Sequence, residues 1–82
     1  MDSYCKNIIL EIVREIRDKA SYLKNVDTDN LKDKAGYYEG MAQAYTFVLN
    51  GIVDYVNASD EINLEDIGLD DFQPNEVMNY LQ

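Results

Sequence analysis

From Leu31 to Val56 the apolar residues Leu31, Ala35, Tyr38, Ala42, Tyr45, Leu49, Ile52 and Val56 follow one another at alternating steps of four and three. That rhythm marks one face of an α-helix and predicts a helix over 30–57. A second face of the same stretch is also apolar or small: Gly36, Gly40, Ala44, Phe47 and Gly51, flanked by Tyr37 and Tyr55. Polar side chains are confined to a narrow strip of Lys32, Glu39, Gln43, Thr46, Asn50 and Asn57. A helix that is apolar over most of its circumference has to be covered on more than one side, so this one is expected at the centre of a bundle. Asn50–Gly51 is a turn signal. The four-three phase nevertheless runs through it without a slip, and the helix is expected to continue.

Residues 3–24 carry an ordinary one-sided pattern. Tyr4, Cys5, Ile8, Ile9, Ile12, Val13, Ile16, Ala20 and Leu23 share one half of a helix, and Lys6, Asn7, Glu11, Arg14, Arg17, Asp18 and Ser21 share the other. Leu10 falls with the polar residues. Asp2 or Ser3 is the expected N-cap, and Cys5 is expected to be a small buried residue. The link 25–29 is short and polar, which makes the two helices antiparallel neighbours. Thr28, Asp29 and Asn30 are suited to cap the second one. Asp27, Asp29 and Asp33 brush against a calcium-loop pattern. The glycine and glutamate such a loop needs at its sixth and twelfth positions are replaced by Lys32 and Tyr38, so capping is the better account.

Beyond Asn57 the pattern breaks into shorter pieces. Ser59 can cap a short helix over 60–67, with Gly68 as its stop. Pro74 suits the first turn of a terminal helix containing Val77, Met78, Tyr80 and Leu81. Ile62, Leu64, Ile67, Leu69, Phe72, Val77, Met78 and Leu81 recur too often for a disordered acidic tail, which is expected to fold back over the helices. The expected fold is all-α, a single small helical domain. It consists of a long antiparallel helical hairpin (3–24 and 30–57) plus one or two short C-terminal helices (59–82), completed as a four-helix core by a second copy.

Charge narrows the function. The 82 residues sum to −9. Residues 1–34 hold all seven basic and seven of the acidic residues; residues 35–82 hold nine acidic residues and no Lys or Arg. An acidic excess of this kind disfavours direct binding to nucleic acid or to anionic lipid. Asp2 and Lys6 leave no long apolar run at the N-terminus, so neither a signal peptide nor a membrane span is expected and the cytoplasm is the expected location. There is no His and one Cys. With neither a His base nor a soft-metal ligand set, and no phosphate-binding loop, no enzyme, metal or cofactor is expected.

Two functions from different classes fit. The first is a non-enzymatic binding protein whose acidic face occupies a basic partner, a nucleic-acid-binding protein or a host defence nuclease, as an inhibitor by charge mimicry. Its residues are Asp54, Asp60, Glu61, Glu65, Asp66, Asp70, Asp71 and Glu76. In size, acidity and helical pattern the chain resembles small inhibitors and accessory proteins of phages and mobile elements, a likeness of composition. The second is a structural or regulatory dimerisation module in which the helix faces matter and the charge does not. Self-association would use Gly36, Tyr37, Gly40, Ala44, Phe47, Gly51 and Tyr55, where small residues four apart open a groove for a second helix.

Overall fold

In a computed structural model, which describes residues 1–27 and 34–81, the chain is helical and carries no strand among those residues. Helix α1 runs Ser3–Ser21 and tightens into a 3-10 helix, Tyr22–Asn25. Helix α2 runs Ala35–Asn57. Two further 3-10 helices, Leu64–Ile67 and Met78–Leu81, punctuate the tail; the second begins at Met78, so Pro74 lies in the turn ahead of it and not in its first turn as expected. The molecule is elongated, 47 × 20 × 17 Å, with the tail laid along the helix pair.

Asp2 is the N-cap of α1: its carboxylate accepts from the Cys5 N–H at 2.8 Å. The proposed caps Thr28, Asp29 and Asn30, and most of the calcium-like pattern, lie outside the described residues. Helix α2 passes through Asn50–Gly51 unbroken. Tertiary packing overrides the turn signal there, because Leu49 is fully buried, Ile52 is half-buried and Val56 is 7% exposed, all on one line. Asn50 itself is recruited by the tail, donating from Nδ2 to the Pro74 carbonyl at 3.2 Å.

The core comprises Val13, Ala20, Leu23, Ala42, Leu49, Val56, Ile62, Ile67, Leu69 and Val77. Each segment contributes, and the tail supplies four of its members, so the tail is an integral layer. Tyr38 and Tyr45 are half-buried against this core, as their place on the main apolar line requires.

The first helix is rotated relative to its sequence pattern. Lys6, Leu10 and Arg17 lie under the tail. Lys6 Nζ meets Asp66 Oδ2 at 3.3 Å, and a Cβ on Gly68 would stand 3.3 Å from Leu10 Cδ1. Leu10 is therefore half-buried and does not belong to a solvated face. The cost appears on the other edge. Tyr4, Cys5, Ile8 and Ile12 were expected inside and are exposed instead. At about 100° per residue, Tyr4, Ile8 and Ile12 sit roughly 200° round from Lys6, Leu10 and Arg14, on the side the tail does not reach.

Ser59 does not cap a helix over 60–67. Its hydroxyl accepts from the Glu61 N–H at 3.1 Å, and the helix starts later, at Leu64, behind a capping box. Asn63 Oδ1 accepts from the Asp66 N–H at 3.1 Å, and Asp66 Oδ2 accepts from the Asn63 N–H at 3.0 Å. Gly68 ends this helix in the left-handed region at φ 73°, a conformation that favours glycine.

The Asn63 N–H, with Lys6 beside it, holds the Asp66 carboxyl below its ordinary value. A depressed folded-state pKa contributes stability that is present above the unfolded value, about pH 4, and is lost as the pH falls through the folded value. Asp66→Asn is thus expected to lower the melting temperature at neutral pH. It should also show a smaller further fall than the wild type between about pH 5 and pH 2. Circular-dichroism melts at a series of pH values check this; equal acid slopes in the two proteins would refute it.

Candidate functional site

Three of the eight expected acidic-face residues, Asp66, Asp71 and Glu76, are paired with cations of α1, and two of them, Asp66 and Glu76, are half-buried. The Arg17 guanidinium, on α1, donates from Nη2 and Nε to the two Glu76 carboxylate oxygens at 2.7 and 3.3 Å. Its Nη1 donates to the Gly68 carbonyl at 3.0 Å and to Asp71 Oδ1 at 3.1 Å. The Phe72 ring lies 5.7 Å from the guanidinium carbon. Burial alone would lower the Arg17 pKa, but the bonds to Glu76 and Asp71 outweigh it and hold the pKa above its ordinary value. Glu76, Asp71 and Asp66 therefore fasten the tail to α1. Asp71 stays exposed despite its pair, as do the other five, Asp54, Asp60, Glu61, Glu65 and Asp70.

Arg17 carries a role that its place among the polar residues of α1 concealed. The signal that could have revealed it is its spacing: Leu10, Val13 and Arg17 are three and four apart, so an Arg standing in line with two apolar residues faces a packed element. Beside it, a cleft of about 330 Å³ is lined by Arg14, Arg17, Ser21 and Lys24 on one wall and Ile67 and Tyr80 on the other. Its cations are engaged. Arg14 pairs with Glu11 at 2.8 Å, and Lys24 Nζ lies 4.7 Å from the Tyr80 ring centre. Among the described residues no cluster of His, Cys, Asp and Glu is arranged to hold a metal ion.

Cys5 is exposed and correspondingly accessible, but it is not activated. The hydrogen bond to the Asp2 carboxylate, and the charge of that carboxylate, push its thiol above the ordinary value. A thiol so placed is a poorer nucleophile at neutral pH than a free cysteine.

The self-association residues form the second feature. Phe47 is 78% exposed, Tyr55 83% and Tyr37 65%, while Gly36, Gly40 and Ala44 are exposed and Gly51 half so. Among the described residues, a Cβ built on Gly36, Gly40 or Gly51 meets nothing within 4 Å. These glycines are thus not there to accommodate bulky side chains among the described residues. Val48 continues the strip toward α1, where Tyr4, Ile8 and Ile12 are also exposed. An apolar pit of about 290 Å³ lies at one end, lined by Met1, Ile9, Ile52, Tyr55, Val56 and Ile62.

The result is a molecule with two unlike faces. The tail carries seven acidic residues (Asp60, Glu61, Glu65, Asp66, Asp70, Asp71 and Glu76) and covers one side of the helix pair. The uncovered side of both helices is aromatic, aliphatic and small. Its nearest charges on α1, Glu15 and Lys19, neutralise each other at 2.7 Å. No helix among the described residues is long and apolar enough to cross a membrane. Comparison with protein-family models, with curated proteins and with solved structures finds no match to this chain.

Proposed function

We propose that this chain is a non-enzymatic protein–protein interaction module that works through the open apolar face of α2 and α1. One observation carries the reading. Four aromatic side chains, Tyr4, Tyr37, Phe47 and Tyr55, stand 65–83% exposed on the helix pair, while the tail residues Ile62, Ile67, Leu69 and Val77 are buried in its core. Isolated apolar residues on a surface need no explanation, but a contiguous patch beyond a few hundred Å² marks a contact site. Aromatic residues are the type enriched where proteins meet. The Arg17 and Lys6 pairs explain why half-buried acids in the tail are present without assigning them a partner.

The charge-led reading keeps a narrower base. Asp54, Asp60, Glu61, Glu65 and Asp70 are exposed and available to occupy a basic partner as a phosphate mimic. Association led by such carboxylates weakens steeply with salt. One experiment separates the two. A photo-crosslinking phenylalanine analogue is placed at Phe47 in one variant and at Glu65 in another, in the cells the chain comes from. Protein adducts from position 47 that persist in high salt are expected. Adducts from position 65 alone, lost in high salt, would replace the apolar reading with the acidic one.

A further inference from the structure

We infer that the open face is filled by a second copy of this chain, docked about a two-fold axis with the two α2 helices antiparallel. This rests on the reading that the face is an interaction surface and names its occupant. The first argument is register. The outward stripe of α2 is Gly36, Gly40, Ala44, Phe47, Gly51 and Tyr55, with steps of four, four, three, four and four. That series is the same in both directions. Reversing the helix against itself about a point between Tyr45 and Thr46 sets Phe47 over Ala44 of the other copy, Tyr55 over Gly36, and Gly40 over Gly51. Both rings of the stripe meet a small residue. A two-fold contact uses the same patch on both subunits, so knob and hole must both lie on it, and here they do. A parallel arrangement in register would stack Phe47 on Phe47 and leave the glycines facing a gap.

The second argument is the cost of those glycines. Each glycine inside a helix is worse than alanine by about 1 kcal/mol. Within the described fold Gly36, Gly40 and Gly51 have room for a Cβ and gain nothing from its absence. Close approach of another backbone accounts for what the chain's own packing does not. Gly68 is the contrast: its φ of 73° and its nearness to Leu10 explain it fully.

The third argument is charge. Two copies of a −9 chain repel unless their acidic surfaces are kept apart. Docking through the tail-free side does that, because it leaves both tails on the outer surfaces of the four-helix core. Asp54 is the one acid at the edge of the stripe, and in this register it falls opposite Tyr37 of the other copy, whose hydroxyl is a donor.

The fourth is area. At about 200 Å² for a whole Tyr or Phe side chain, the four exposed aromatics present roughly 600 Å². Ile8, Ile12 and Val48 bring the face to about 800 Å², the area each partner contributes to an interface of standard size.

The test uses the full chain. Sedimentation velocity across about 1–100 µM should show a particle of twice the 9.5 kDa chain mass. Gly40→Leu should weaken the dimer by about tenfold or more, while Glu39→Gln leaves it unchanged. Because a Cβ at position 40 meets nothing within 4 Å, the leucine variant should still fold, with an undiminished helical spectrum. The register is read by disulfide formation in a Cys5→Ser background. An equal mixture of Gly40→Cys and Gly51→Cys chains should cross-link to each other faster than either does to itself. Monomer mass at the highest concentration overturns the inference, as does a dimer indifferent to Gly40→Leu. Monomer mass together with photo-adducts to a different protein from position 47 overturns the second copy alone and leaves the interaction face standing.

Discussion

Leu49→Ala is expected to be the most damaging single truncation in α2, costing about 2–5 kcal/mol. Leu49 is 0% exposed and sits midway along the main apolar line, among residues that bring α1, α2 and the tail into one core. Truncation removes buried methyl groups and leaves a cavity that three elements would have to collapse around. A chain of 82 residues has a total stability of about 4–12 kcal/mol. The loss is therefore a large share of it, and the melting temperature should fall by more than about 10 °C. Phe47→Ala, two positions away, removes a larger side chain. It is expected to change stability by no more than about 0.5 kcal/mol at concentrations where the chain is monomeric, because its ring is 78% exposed. At higher concentration the wild type should gain stability by association and the Phe47 variant should not. Thermal melts of both variants over a dilution series provide the measurement. Equal losses at high dilution would show that α2 is not oriented as described.

What could be read in advance depended on how local the determinant was. The four-three line of α2 set its buried face correctly at Tyr38, Ala42, Tyr45, Leu49, Ile52 and Val56, because helical period and burial are the same fact seen twice. The stop at Gly68 was legible for the same reason, and the cap of α1 was narrowed to Asp2 or Ser3, of which the structure uses Asp2: each is settled by one residue and its neighbours. The rotation of α1 was not. Which edge of its apolar half was covered depended on where the tail docked, a contact 51–59 residues away in sequence. Tyr4, Cys5, Ile8 and Ile12 lost that competition; Leu10 and Arg17 won it. The acidic residues show the same limit. Composition showed that the second half of the chain was acidic, but not that Asp66, Asp71 and Glu76 would meet Lys6 and Arg17.

Arg17→Met is expected to loosen the tail while leaving the helix pair in place. Met keeps most of the apolar stem and removes the fork, so the lost interactions are those to Glu76, Asp71 and the Gly68 carbonyl. A two-point arginine–carboxylate pair is among the stronger polar contacts, and the Arg17 and Glu76 side chains are 25% and 18% exposed. Asp71, at 75%, is well screened and contributes little. The net cost is about 2 kcal/mol, most of it from leaving the half-buried Glu76 carboxylate without its partner. Arg17→Lys should recover only part of this, since an ammonium cannot make the paired contact. Arg17→Met combined with Glu76→Gln should recover more, because the stranded charge is removed along with the partner that neutralised it. Amide hydrogen exchange locates the effect. In the single variant, amides across 62–81 should lose protection while those around Leu49 keep most of theirs. Uniform loss along α2 and the tail would mean that the tail and the helices open as one unit and that Arg17 is not a local fastening.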